Sequence, residues 1–259
     1  MYSRIDSKDN NLVKQIVHLA SNRHYREELH LGIIYGQHLL EEAIKSGVIH
    51  KVLIDDKCYP KYQDLLHTLP ENIVYLTTPT IIDKINLLES KTDIVGVVQF
   101  AKLPFNSQLY AMDCVVLEKI QNPLNLGSIM RVAKAAGVNN IIISPGSVDI
   151  YNPKVLHVAQ GAIFDLNLYV DVDIIEFISE YKGMVLATMP KVTTSLYTIN
   201  LTTKPVAWVF GNEGSGLSRT VLDRIKQQIT IPMQNNTESL NVAMAVSVCL
   251  FEQLRQRLM

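Results

Sequence analysis

The 259-residue chain has no imbalance of charge, no cysteine framework and no long apolar run, and each lack removes a class of protein. Its 24 Lys and Arg face 25 Asp and Glu, a formal net charge of −1. The balance holds in both parts, with 12 basic against 13 acidic residues over 1–107 and 12 against 12 over 108–259. Such a chain exerts no global pull on a polyanion, so any nucleic acid must be met by local patches or by a groove between two copies. The three cysteines, Cys58, Cys114 and Cys249, lie far apart. Two of them sit among apolar neighbours, which suits reduced core thiols, and with no zinc spacing present no metal is expected. No segment approaches the roughly 18 apolar residues of a membrane helix, and the start Met1-Tyr2-Ser3-Arg4-Ile5-Asp6 lacks the apolar core of a signal peptide. A cytoplasmic protein with no membrane partner is the expectation. Also missing are internal repeats, low-complexity segments, a P-loop and the G-x-G-x-x-G fingerprint with its acidic residue about 20 positions on, which argues against a nicotinamide dehydrogenase.

What is present is a folded α/β composition, 47% hydrophobic and 19% charged, with length for one large domain or two ordinary ones. Apolar spacing predicts a helix over Ser7–Ala20. The following Asn22-Arg23-His24-Tyr25-Arg26 mixes cations with an aromatic, and reads either as a phosphate and base contact or as a solvated helix end. Strands are then expected at Leu31–Tyr35, Val48–Ile54, Ile73–Leu76 and Ile94–Phe100, alternating with helices at Gln37–Ser46, Lys61–Thr68 and Pro79–Leu88. Residues 101–109, with Pro104, Asn106 and Ser107, break the pattern and set a domain boundary, giving units 1–107 and 108–259. The second part restarts with strands at Cys114–Glu118, Asn140–Ser144, Ile163–Val170, Met184–Thr188, Val206–Phe210 and Gln228–Ile231. Helices are expected from Leu126 to Ala136, from an Asn152-Pro153 cap through Ala159, over Asp173–Tyr181 and over Leu217–Lys226. This alternation implies a mostly parallel sheet covered on both faces.

Three clusters in the second part carry chemistry. In Asn122-Pro123-Leu124-Asn125-Leu126-Gly127-Ser128-Ile129-Met130-Arg131 a polar loop enters a helix, with Asn125 expected as its cap. Ile129, Val132, Ala133 and Ala136 share the core face, while Arg131 points elsewhere beside the small residues Gly127, Ser128 and Ala135. That is room for another molecule around a guanidinium, or a surface arginine over a tidy cap. The second cluster, Phe210-Gly211-Asn212-Glu213-Gly214-Ser215-Gly216, has glycines that let main-chain groups approach a ligand and a carboxylate that suits a nucleoside or a cation better than a pyrophosphate. A plain turn is its alternative. The third is Ile231-Pro232-Met233 with Glu238-Ser239-Leu240-Asn241-Val242-Ala243-Met244-Ala245, opening a final helix with no charge between Glu238 and Glu252. A helix so apolar is expected to be buried nearly all round, in the core or against a second copy.

In this order the clusters closely resemble the three motifs of the SpoU family of RNA ribose 2′-O-methyltransferases. The matching residues are Asn125-x-Gly127-x-x-x-Arg131, then Phe210-Gly211-Asn212-Glu213-Gly214-x-Gly216-Leu217, then Ile231-Pro232-Met233 with Ser239-Leu240-Asn241-Val242. Tyr151–Val155 and Gly161–Phe164 resemble family segments between them, and the likeness covers about residues 112–255. The stretch Ile34–Ala43 more weakly resembles the family's substrate-binding domain. The resemblance implies an α/β fold with a C-terminal trefoil-knotted methyltransferase domain, a rare exception to unknotted topology, behind a smaller N-terminal RNA-binding domain. It implies S-adenosylmethionine held by Thr188, Met189, Pro190, Gly211, Ile231 and Leu240, and a homodimer with the active site at its interface. It assigns catalysis to Arg131, with Asn125, Glu213, Ser239 and Asn241 positioning it and the RNA. Large-subunit ribosomal RNA, at a guanosine, is the favoured substrate, with a tRNA methyltransferase or a non-catalytic RNA-binding protein on the same fold as alternatives. The chain departs from the family pattern at Gln234-Asn235-Asn236-Thr237, before Glu238.

Overall fold

A computed structural model describes residues 2–88, 90–101, 103–235 and 237–259. In chain order its elements are β1 (Ser3–Ile5), α1 (Asn11–Ser21), α2 (Arg23–Leu29), β2 (Leu31–Tyr35), α3 (Gln37–Lys45), β3 (Ile49–Asp55), α4 (Tyr59–Leu66), β4 (Val74–Thr77), α5 (Pro79–Ile85) and β5 (Ile94–Gln99). There follow β6 (Cys114–Leu117), α6 (Pro123–Ala135), β7 (Asn140–Ile143), α7 (Pro153–Ala159), β8 (Asn167–Tyr169), α8 (Ile174–Glu180), β9 (Met184–Thr188), β10 (Val206–Phe210), α9 (Arg219–Leu222), β11 (Gln227–Ile229) and α10 (Val242–Leu258). They form two units, Met1–Lys102 with Asp149–Phe164, and Leu103–Val148 with Asp165–Met259.

The first unit holds a five-stranded sheet in the order β1-β4-β3-β5-β2. Strand β5 runs antiparallel to both β3 and β2, while β1, β4 and β3 are mutually parallel. Alternate side chains serve opposite faces. Ile33, Leu53, Val95 and Val97 pack with Val13, Ile16 and Ile81 on one side, and Val52, Ile54, Val74 and Ile94 with Leu40, Tyr62 and Leu66 on the other. Strand β1 was not foreseen, because only Ile5 of its three residues is buried and one residue makes no alternation. The Asn22–Arg26 stretch forms α2, capped by the Asn22 side chain, and its Arg26 is buried at 4% exposure. Arg26 Nε donates to Asp149 Oδ2 at 2.7 Å, and its Nη1 to the carbonyls of Leu19 and Ala20 at 2.7 and 3.0 Å. The cation therefore closes the carboxyl end of α1, where helix carbonyls lack partners. Arg26 is not available to a phosphate.

The second unit holds a six-stranded sheet in the order β11-β9-β10-β6-β7-β8, parallel at every pairing. Every residue of β6 is wholly buried and β10 is nearly so, which is why both read as continuous apolar runs. Helix α6 begins earlier than expected. Asn122 is its N-cap, accepting from the Leu124 N–H at 2.9 Å, and Pro123 follows in the first turn, so Asn125 lies inside the helix. The strand expected over Ile163–Val170 is confined to β8, preceded by a 3-10 turn at Ala162–Asp165. The helix expected over Leu217–Lys226 is only α9, because Arg224 and Ile225 donate three residues back and tighten the chain out of α geometry.

In the single chain helix α10 is buried along one side only. It packs on α6 and buries Ala243, Val246, Cys249, Leu250 and Gln253, while Met244 and Phe251 stand 62% and 44% exposed. Its far end is fastened by side chains: Gln253 accepts from Trp208 Nε1, Gln256 brackets Leu201 N–H and Ile199 C=O at 2.9 and 3.0 Å, and Arg257 pairs with Asp113. Among the described residues no helix is long and apolar enough to cross a membrane, and no cluster of three His, Cys, Asp or Glu could hold a metal.

Candidate active site

The carboxyl ends of β6, β10, β9 and β11 open into one cleft of about 1180 Å³, the edge at which open α/β sheets collect ligands. Residues 121–125 reach it after β6, 188–191 after β9, 210–217 after β10 and 230–245 after β11, so separated stretches become neighbours.

A polar chain runs along its lining. Glu213 Oε1 accepts from the Asn122 N–H at 3.1 Å and from Asn125 Nδ2 at 3.0 Å, while Oε2 accepts from the Gln121 N–H at 3.3 Å. Asn125 Oδ1 then accepts from Asn241 Nδ2 at 2.9 Å, and Asn241 Oδ1 caps α10 through the Ala243 N–H at 2.9 Å. Each amide is thereby oriented by the next group. Burial pushes the Glu213 carboxyl up, but the Asn125 amide and the N–H groups of Asn122 and Gln121 outweigh it and hold its pKa below the ordinary carboxylate value. A fixed negative charge results.

The loop carrying Glu213 is braced by a residue whose part was not legible beforehand. Asn212 donates from Nδ2 to the Lys119 carbonyl at 2.8 Å and accepts the N–H groups of Gly214 and Ser215 at 2.9 and 3.0 Å. Its main chain exchanges two hydrogen bonds with Gly216. At Gly211 a Cβ would meet the Gly216 and Leu217 backbones at 2.2 Å, and Gly216 has φ +68°. These glycines first serve close approach of the chain to itself.

Of the residues singled out in the sequence, Asn125, Glu213, Ser239, Asn241, Thr188, Met189, Pro190, Gly211, Ile231 and Leu240 all line this cleft. Arg131 does not: it is exposed on α6 and takes no partner among the described residues. In the loop after Pro232, Gln234, Asn235 and Thr237 are described and Asn236 lies outside the described residues. Lys191, the one cation on the cleft lining among the described residues, was missed although it directly follows Pro190. The main-chain N–H groups of Gly211, Ile231 and Leu240 have no partner among the described residues. They stand beside the apolar Met189, Leu217 and Val242, a combination that offers donors and an apolar wall to one ligand.

The SpoU rRNA Methylase family model matches residues 113–251. Over 98% of its length the chain is 31% identical to an uncharacterized tRNA/rRNA methyltransferase of Synechocystis sp., covering 94% of that protein. It is 25% identical to the 23S rRNA (guanosine(2553)-2′-O)-methyltransferase RlmP of Bacillus subtilis, covering 96% of this chain and 98% of that one. Its fold matches the crystal structure of an RNA 2′-O ribose methyltransferase with TM-score 0.82 and 25% identity, over 99% of this chain and 100% of the other.

Proposed function

The chain belongs to the SpoU rRNA Methylase family, and from that premise we propose that it methylates a ribose 2′-hydroxyl of large-subunit ribosomal RNA, with guanosine as the nucleoside, using S-adenosylmethionine. The observation that carries this reading is the meeting, in one cleft, of the polar chain Glu213–Asn125–Asn241 with the unpartnered N–H groups of Gly211, Ile231 and Leu240. The residues fit the methyl donor: Thr188, Met189, Pro190, Gly211, Ile231 and Leu240 line the cleft and would hold it, chiefly through main chain and apolar contact. Bound there, it would supply an electrophilic methyl group on a sulfonium, leaving as the neutral thioether once the methyl is transferred.

In this reading Glu213 places a fixed negative charge on the cleft and locks the Asn125 amide. Ser239 presents a hydroxyl to the nucleotide. The Arg131 guanidinium donates and has no acceptor, so it stabilises the developing alkoxide and holds phosphate, while the proton leaves to a phosphate oxygen or to water. Its exposed, unpaired position supports delivery to the cleft of a second copy, making a homodimer in which the exposed Met244 and Phe251 of α10 are covered. The trefoil knot, the part of residues 1–107 as the RNA-binding domain and a cytoplasmic location beside ribosomal RNA belong to the same proposal.

The test is methyl transfer from labelled S-adenosylmethionine to total RNA from cells lacking this protein. Label at one alkali-resistant site of large-subunit rRNA supports the reading. Label in tRNA alone overturns the substrate, and no cofactor binding overturns the enzyme.

A further inference from the structure

The cleft lining carries two carboxylates, Glu213 and Glu238, and one cation, Lys191. A polyanion approaching such a mouth meets net repulsion unless a cation lies where its backbone passes. Lys191 is exposed and takes no partner among the described residues, so its ammonium is not spent on Glu213, whose oxygens are occupied by N–H donors.

Its backbone, by contrast, is held. Thr230, which follows β11, accepts from the Leu196 N–H and donates its own N–H to the Thr194 carbonyl, both at 2.8 Å. Its Oγ1 reaches the Pro190 carbonyl at 3.3 Å. The 190–196 loop is thus pinned immediately before Lys191 and again three residues after it. A free ammonium on a tethered base is a positioned point charge, the form in which lysine serves phosphate.

We propose that Lys191 binds a backbone phosphate of the substrate RNA at the mouth of the cleft and so sets the register of the target ribose. The proposal rests on the methyltransferase reading above and adds a positioning residue to it. The carboxylate of the methyl donor is the competing anion, but a rim position that is solvent-exposed favours the phosphate.

The experiment compares wild type with Lys191→Gln and Lys191→Arg. RNA binding is measured without methyl donor from about 50 to 200 mM salt, alongside cofactor affinity and, for methyl transfer, KM and kcat. Lys191→Gln is expected to weaken RNA binding about three- to tenfold and to reduce the slope of log affinity against log salt by about 0.7–0.9. Cofactor affinity should not change, KM for RNA should rise more than kcat falls, and arginine should restore the salt slope. Loss of cofactor affinity with RNA binding intact would transfer Lys191 to the donor's carboxylate and overturn the proposal, as would a Gln variant equal to wild type in every measurement. If wild type transfers no methyl group, the functional reading fails, while the salt slope of RNA binding still decides for or against Lys191.

Discussion

Two hydrogen-bonded carboxylates, Asp149 in the first unit and Glu213 in the second, are displaced in opposite directions from their ordinary pKa. Asp149 is 4% exposed and accepts from a guanidinium, Arg26, and from the Tyr151 N–H at 2.7 Å. Its pKa is nevertheless raised, because burial outweighs the Arg26 charge and hydrogen bond. Glu213 meets only neutral donors at an open cleft, and its pKa is lowered. Desolvation decides between them: a paired charge inside remains expensive, whereas a charge at a wet rim is held by a few N–H groups and stays available. The first arrangement specifies structure and the second prepares chemistry, so variants at the two places should fail in different assays.

The largest effect is expected from Arg26→Ala, which strands Asp149 in the interior and opens the carboxyl end of α1. Loss of one partner of a buried pair costs about 3–5 kcal/mol, read as a lower midpoint in urea unfolding. The cleft proposed for the cofactor has neither residue in its lining, so the folded fraction should bind S-adenosylmethionine as wild type does. Equal stability of variant and wild type would erase the contrast.

Next comes Arg131→Ala. An exposed residue without partners should alter stability by no more than about 0.5 kcal/mol. Methyl transfer should fall about 10²–10³-fold, the effect of removing one charge-stabilising donor. Mixing this variant with a second cleft variant, such as Asn125→Ala, should restore part of the activity if arginine and cleft come from different copies. No recovery would count against delivery of Arg131 from a second copy.

Much of this was legible, and the reasons differ by element. The central strands β6 and β10 could be read because full burial on both faces leaves unbroken apolar runs. The Asn152-Pro153 cap was legible, yet the identical chemistry of Asn122-Pro123 was passed over for Asn125, whose amide is taken by Glu213 and Asn241. Residues 149–164 fold with the first unit, and no local pattern announces it: the Arg26–Asp149 pair spans 123 positions. Likewise Glu213 and Asn125 are 88 apart, and Asn125 and Asn241 116 apart. Only the resemblance of ordered motifs named them together. Lys191 lies outside those motifs, and only its adjacency to Pro190 could have pointed to the cleft.

A smaller effect is expected from Glu213→Gln. The new amide turns an N–H group toward donors that formerly met a carboxylate, so one of the Asn122, Gln121 or Asn125 contacts is lost. At a partly exposed site the stability change should be about 1 kcal/mol. Methyl transfer should drop about 10–100-fold as the Asn125 amide loses its orientation, with RNA affinity retained. A variant weakened in stability but not in turnover would make Glu213 a structural residue like Asp149.

The smallest effect is a difference in slope, and it tests the comparison directly. Stability rises with pH where the unfolded chain binds more protons than the folded one. Glu213, with its folded pKa depressed, contributes stability above the ordinary carboxylate pKa of about 4.3 and loses it as pH falls through the lower folded value. Asp149, with its folded pKa raised, works the other way: stability is withdrawn as pH rises from its unfolded value of about 3.9 through the folded one. The two terms oppose each other in the acid range. Glu213→Gln should therefore flatten the rise of stability with pH there, and Asp149→Asn, though less stable overall, should steepen it. Urea midpoints taken at steps of pH read both slopes, and the same change of slope in the two variants would refute the opposition between buried pair and open cleft.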